Sequence, residues 1–149
     1  MTMILRGRKI VGGRAEGKAL VTKQGISFNG GTDPMTGVVT ERGHELEGES
    51  YKGKIFVFPY GKGASGAAGD LHVATMLGNA PKAIINNKLD TQIVLGAMIS
   101  GIPMVAELDK NPLEVIETGD SVEVNADEGL VKVYKSNNNK ITKKTSSSS

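Results

Sequence analysis

The middle of the chain alternates short apolar runs with segments of helical periodicity. Residues 54–58, 82–86 and 104–106 are apolar runs of strand length, which is typical of strands buried on both faces. The helical positions are Leu71, Ala74 and Leu77 between the first two runs, and Ile93, Val94, Ala97 and Met98 between the last two. Two successive strand–helix–strand units predict a small parallel sheet with helices packed against it.

The second helix has sequence signals at both of its ends. Asp90 stands immediately before the periodic residues, where its carboxylate can accept a hydrogen bond from a free N–H of the first turn. Gly101 favours the left-handed backbone that ends helices, and Pro103 prevents the helix from continuing. We therefore expect a helix between Asp90 and Gly101.

Both ends of the chain carry strand patterns. Residues 9–11 and 17–22 are separated by a glycine pair, and residues 121–124 and 130–134 are joined by a short turn. Together these segments predict an α/β fold in which a parallel β-α-β-α-β core is flanked by β ribbons from both termini.

Composition narrows the classes of function. The formal net charge of +2 arises in residues 136–149, which contain three lysines and no acidic residue. Residues 1–135 have fifteen basic and sixteen acidic side chains, a net charge of −1. A basic surface for nucleic acid is thus poorly supported. There is no cysteine among the 149 residues, so no thiolate can hold a metal or cluster. We expect one cytoplasmic domain over residues 1–135, a disordered tail over 136–149, no membrane association and no metal.

A glycine loop, residues 59–69, is the strongest candidate for chemistry. It follows the apolar run 54–58 and leads into the first predicted helix, so its backbone N–H groups and one hydroxyl lie at a helix N-terminus. The candidate binding residues are Gly61, Lys62, Gly63, Ala64, Ser65 and Gly66. The spacing matches neither a Walker loop nor a dinucleotide fingerprint. A plain flexible turn is the alternative to an anion site.

Other polar residues are weaker candidates. Asp33, before Pro34, is typical of local hydrogen bonding in a turn, and binding of a substrate hydroxyl is its alternative role. Asn86 and Asn87 end a predicted strand at the sheet edge where the glycine loop also lies. His44 is expected to be a solvated loop histidine. We also expect His72 to lie on an exposed helix face. Exposure to solvent is likewise expected of Glu45, Glu47 and Glu49.

Several motifs, in order, resemble the small subunit of the aconitase X enzymes. They span essentially residues 9–134, and their order makes the resemblance specific. The matching segments are residues 12–17, 26–37, 59–65, 80–86 and 96–103. The resemblance implies a swivelling β/β/α domain that closes over a large subunit, with which it forms a heterodimer. It also implies a 4Fe-4S cluster held by that large subunit and none bound by this chain.

The resemblance further implies a hydro-lyase that dehydrates a hydroxy acid. The leading substrate is 5-phosphomevalonate, and cis-3-hydroxyproline, another hydroxy acid or a non-catalytic anion-binding role remain alternatives. In the family, a serine of the glycine loop is the proton acceptor, and the loop usually reads Gly-x-Gly-Ser followed by Ser, Thr or Cys. This chain has Ala64 at the first of those positions and Ser65 at the second. Ser65 is the expected proton acceptor after a small shift of the loop. The alternatives are a divergent member with another substrate or base, and an inactivating change at Ala64.

Overall fold

The computed structural model describes residues 2–136 of the chain. The strands are β1 (Thr2–Arg6), β2 (Arg8–Val11), β3 (Arg14–Val21), β4 (Thr32–Asp33), β5 (Val38–Val39), β6 (Ile55–Phe58), β7 (Ala83–Asn86), β8 (Met104–Ala106), β9 (Ser121–Asn125) and β10 (Leu130–Tyr134). The helices are α1 (Ala67–Met76), α2 (Thr91–Ser100) and the single turn α3 (Pro112–Val115), and a 3-10 turn covers Ala126–Glu128.

Eight strands form one sheet in the order β1-β10-β9-β3-β6-β7-β8-β2. The β3–β6, β6–β7 and β7–β8 pairs are parallel, and the other pairs are antiparallel. Strand β3 is long enough to serve both halves, because Arg14 to Lys18 pair with β9 and Ala19 to Val21 pair with β6. Strands β1 and β2 lie at opposite edges although only Gly7 separates them, so the two edges meet at that glycine.

The sheet packs in two layers with the helices as a third. Along β6, Ile55 and Val57 face a core between the two halves of the sheet, whereas Phe56 and Phe58 face the helices. This alternation follows from the period of two along a strand. The predicted α/β fold, with its parallel core and flanking ribbons, is therefore confirmed as a β/β/α arrangement.

An aromatic cluster fills the core under the helices. Phe28, Tyr51, Phe56 and Phe58 are fully buried, and the Phe56 and Phe58 ring centroids lie 4.7 Å apart. Phe28 contacts the other three rings edge-on at 5.5 to 6.2 Å. Since Phe58 is the last residue of β6, this rigid cluster supports the start of the glycine loop.

The second helix ends as the sequence predicts. The Asp90 carboxylate accepts the N–H of Ile93 at 3.1 Å, and Gly101 takes a left-handed backbone with φ of 70°. The first helix begins at Ala67, four residues before Leu71, the first residue of the predicted helical pattern. Leu77 and Met98 belong to the apolar patterns of the two predicted helices, but both side chains are largely exposed.

The sequence pattern does not predict strand β1. This strand forms because every residue from Thr2 to Arg6 pairs with β10, more than a hundred residues away. Residues 25–28 contribute one isolated parallel bridge, between Ile26 and Gly61. Within residues 2–136, no helix is long and apolar enough to cross a membrane. Apart from Ser136, the expected disordered tail lies outside the described residues.

Gly129 marks the closure of the sheet and gives a first testable prediction. Its φ of +67° favours glycine, and a Cβ there would overlap the carbonyl oxygen of Gly7. The Gly7 N–H also donates to the Gly129 carbonyl at 2.8 Å. We expect Gly129→Ala to lower the free energy of unfolding by about 3 kcal/mol, because backbone strain and overpacking add. Urea denaturation followed by circular dichroism measures the loss.

Gly48 supplies the matched control for that prediction. Its φ is +89°, yet nothing lies within 4 Å of a Cβ built there. Gly48→Ala should therefore cost only the backbone term, about 1 kcal/mol. Equal losses in the two variants would show that the Gly7–Gly129 approach does not constrain the fold.

Candidate functional site

Hydrogen bonds from the neighbouring strand end fix the start of the glycine loop. The Phe58 carbonyl accepts the side-chain amide of Asn86 at 2.9 Å. The Pro59 carbonyl accepts the backbone N–H groups of Asn87 and Lys88 at 3.1 and 2.9 Å. The carboxyl ends of β6 and β7 are thus joined directly, and the loop leaves the sheet at a defined place.

The next residues are held by the segment around Ile26. Ile26 donates its N–H to the Tyr60 carbonyl at 3.1 Å and accepts the N–H of Lys62 at 3.0 Å. Gly61 lies between them, where a Cβ would come within 2.5 Å of the Ile93 side chain. Glycine is therefore required at position 61 by close packing against α2.

Beyond Lys62 the backbone donors are free. Within the described part of the chain, the N–H groups of Gly63, Ala64, Ser65 and Gly66 donate to no hydrogen-bond partner. Gly66 is the N-cap of α1 and provides no side-chain cap. Four consecutive unpaired donors at a helix N-terminus form a site suited to an anion, because the helix dipole adds to their partial positive charge.

Glycine backbone angles shape this row of donors. Gly63 has φ of +72° and Gly66 has φ of +88°, both in the left-handed region. These turns bring the backbone to the surface, where Gly63, Ser65 and Gly66 are exposed and Ala64 is half-buried. The Ser65 hydroxyl makes none of the hydrogen bonds found within residues 2–136. It is thus open to a molecule arriving from outside the chain.

The cation of the loop is paired. The Lys62 Nζ lies 2.6 Å from Glu41 Oε2, and both side chains are roughly one-third exposed, at 38% and 33%. Nothing in the sequence pointed to Glu41, because it lies in a polar passage 21 residues before Lys62. Two further carboxylates flank the loop: Asp90 caps α2, and Asp70 accepts the Asn29 amide at 2.8 Å.

Asp33 ends strand β4 and begins a tight turn. Its carboxylate accepts the N–H of Met35 at 2.9 Å, which is the local hydrogen bonding expected of Asp before Pro. Burial raises the pKa of Tyr51, and the negative charges of Asp33 and Asp70 also raise it. A hydrogen bond with Thr32 lowers this pKa in part, but the net shift is upward. No hydrogen bond between the described residues joins Asp33 to the glycine loop.

The prediction for His44 is wrong. The residue is buried rather than solvated, because both ring nitrogens have backbone partners. Nε2 lies 3.0 Å from the Gly25 carbonyl, and Nδ1 accepts the N–H of Leu46 at 3.0 Å. His44 is therefore a structural residue that joins its loop to the segment before Ile26. His72 is half-buried, and its Nδ1 lies 3.5 Å from the Ser100 hydroxyl.

Asn86 and Asn87 hold the start of the glycine loop through hydrogen bonds to Phe58 and Pro59. Asn86 is fully buried, and its amide nitrogen anchors Phe58 rather than facing an incoming molecule. The side-chain oxygens of Asn86 and Asn87 are buried without a partner in the described residues.

The edge with Glu45, Glu47 and Glu49 is exposed as expected, although hydrogen bonds from Thr22 and Lys23 lower the pKa of Glu45.

The described residues offer no place for an iron–sulfur cluster. Within residues 2–136, no group of three or more His, Cys, Asp or Glu side chains is arranged to hold a metal ion. The whole chain also lacks cysteine, the usual ligand of such clusters. The donor set of the described residues therefore does not fit a 4Fe-4S cluster, which the resemblance assigns to the large subunit.

Comparison with known proteins places this geometry in a family. The aconitase X swivel domain model matches residues 4–133. The phosphomevalonate dehydratase small subunit of Methanocella arvoryzae is 46% identical over 131 residues, which cover 88% of this chain and 99% of that protein. The Archaeoglobus fulgidus protein of the same name is 51% identical over 126 residues, covering 85% and 95%.

A solved structure shares the architecture. The crystal structure of Thermococcus kodakaraensis aconitase X in its holo-form superposes with a TM-score of 0.84 at 43% sequence identity. The match covers 89% of this chain and 99% of that one. The sequence relatives and the structural neighbour therefore agree over nearly all of the described residues.

Proposed function

Because the chain belongs to the aconitase X swivel-domain family, we propose that it is the small subunit of a phosphomevalonate dehydratase. The observation that carries this proposal is the exposed row of free N–H groups from Gly63 to Gly66 beside an open Ser65 hydroxyl. The names of several relatives at 43–51% identity support the substrate. The activity is that of a hydro-lyase working as part of a complex.

The proposed chemistry divides between two subunits. Dehydration of a hydroxy acid removes a proton from the carbon beside the carboxylate and a hydroxyl from the next carbon, giving an alkene and water. Ser65 would take the proton, and the neighbouring backbone donors would stabilise the negative charge of its alkoxide. A hydroxyl is a weak base in water, so this role requires that a partner covers the exposed loop and excludes solvent.

The remaining components are assigned to the partner. We place the 4Fe-4S cluster in the large subunit of a heterodimer, since this chain lacks the ligands to hold it. Gly61, Lys62, Gly63, Ala64, Gly66 and Asp33 are proposed to contact the substrate. We further propose a cytoplasmic enzyme whose small subunit folds as one domain over residues 1–135.

The proposal is tested by co-expression with the large subunit from the same genome. We expect the two chains to co-purify and the complex to release water from 5-phosphomevalonate, which is followed by the absorbance of the conjugated product. Neither chain alone should be active, because the exposed loop supplies only part of a site. A stable complex that is inactive on this substrate, or active only on cis-3-hydroxyproline, would contradict the substrate assignment.

A further inference from the structure

The ion pair between Glu41 and Lys62 determines the charge that the glycine loop presents. Lys62 is the cation within the loop, and its Nζ is 2.6 Å from Glu41 Oε2. Its ammonium is therefore neutralised in the free subunit, while the adjacent donors from Gly63 to Gly66 are free. An anion that reaches these donors meets a cation that already has a carboxylate partner.

The backbone holds Glu41 in this position. The N–H groups of Thr40 and Glu41 both donate to the Gly31 carbonyl, at 2.9 and 3.1 Å. Gly31 lies against the carboxylate, because a Cβ at that position would be 3.2 Å from Glu41 Oε1 and 2.5 Å from the Ser27 carbonyl. The close approach of Gly31 thus leaves room for the Glu41 side chain beside the loop.

The other carboxylates beside the loop have different partners. Asp90 accepts the N–H of Ile93, and Asp70 accepts the Asn29 amide. Glu41 is the carboxylate that contacts the loop cation. Its pair with Lys62 is partly exposed, and exposed ion pairs are weak enough to exchange for another anion.

From this geometry we propose that Glu41 is a specificity-determining residue that competes with the substrate's anionic group for Lys62. The inference rests on the proposed function, because it takes the glycine loop as the place where that anionic group binds. In the free subunit, Glu41 holds Lys62 and lowers the affinity of the loop for anions. When a strongly charged group such as a phosphate binds the free N–H donors, Lys62 breaks its ion pair with Glu41 and pairs with the phosphate instead.

The test is a titration of the full chain with inorganic phosphate, followed by the amide NMR shifts of Gly63 to Gly66. Glu41→Gln should lower the dissociation constant for phosphate by about threefold to fivefold, the size expected when an exposed competing pair is removed. Glu49→Gln is the matched control, because Glu49 is exposed and changes the net charge equally. It should leave the dissociation constant unchanged.

A double-mutant cycle separates competition from a general charge effect. Lys62→Met should weaken phosphate binding, and adding Glu41→Gln to that variant should give no further change. A gain from Glu41→Gln that persists without Lys62 would overturn the proposal, as would equal affinity of wild type and Glu41→Gln or an absence of loop shifts in every variant. The dehydration assay of the complex is scored separately, so failure of the proposed function is distinguishable.

Discussion

Replacing Ser65 with alanine is expected to lower kcat of the reconstituted two-subunit enzyme by about 10²- to 10⁴-fold, the usual contribution of a positioned proton acceptor. The hydroxyl is exposed and makes no other hydrogen bond within residues 2–136, so its loss should not disturb the fold. The backbone donors of the loop remain in the variant. We therefore expect KM to change much less than kcat. Steady-state assays on 5-phosphomevalonate measure both constants.

Ala64 provides the complementary variant. Position 64 is where the family pattern that this loop resembles has a serine, and here Ala64 is half-buried beside the exposed Ser65. If the proton acceptor works from either position, Ala64→Ser combined with Ser65→Ala should regain part of the lost activity. Thermal unfolding and co-purification with the large subunit control for folding and assembly. A Ser65→Ala complex with the kcat of wild type would show that another group takes the proton.

Local sequence signals were sufficient to predict the middle of the fold. The continuous apolar runs became β6, β7 and β8, and Asp90 and Gly101 end α2 as predicted. Each of these features depends on residues close together in the chain. The pattern did not predict β1, whose pairing with β10 joins the two ends of the chain. Residues 2–6 form only a short pattern of apolar and polar residues, which does not by itself indicate a strand.

The site was predicted less completely than the fold. The glycine loop was located from its composition, but the pairing of Lys62 with Glu41 depends on how residues 31 and 40 approach each other in space. The same holds for His44, which was expected in solvent. Its burial depends on the distant Gly25 carbonyl rather than on the charged residues around it in the sequence. Periodicity also assigned Leu77 and Met98 to helix faces without showing whether anything covers them.

Replacing the buried carboxylate of Asp120 is expected to have a large effect on stability. Its carboxylate is fully buried, and one oxygen lies 2.6 Å from the Nζ of Lys135, which is only 11% exposed. The other oxygen accepts the N–H of Ser136 at 3.0 Å. The Asp120 carbonyl also accepts the N–H of Ala19, in the part of β3 that passes from one half of the sheet to the other. The carboxylate thus ties the end of β10 to the point where the two halves join.

We expect Asp120→Asn to lower the free energy of unfolding at pH 7 by about 3 kcal/mol, because Lys135 keeps its charge but loses its buried partner. Burial by itself raises the pKa of Asp120, but the hydrogen bond from Lys135 and two backbone N–H donors outweigh it, so the pKa lies below its usual value. A carboxyl with a lowered folded-state pKa stabilises the protein above the unfolded-state pKa, about 3.9. That contribution is lost as the pH falls through the folded-state value.

The difference in stability between wild type and Asp120→Asn should therefore be constant above about pH 5 and shrink in more acidic solution. Urea denaturation at a series of pH values measures it. Glu128→Gln is the control, since Glu128 is exposed and its replacement should leave the pH dependence of wild type nearly unchanged. A difference that stays the same down to the lowest pH at which the protein folds would mean that the charge of Asp120 does not stabilise the junction. The loss in the variant would then come from packing alone, and the Lys135 pair would have no energetic role in holding the two halves of the sheet together.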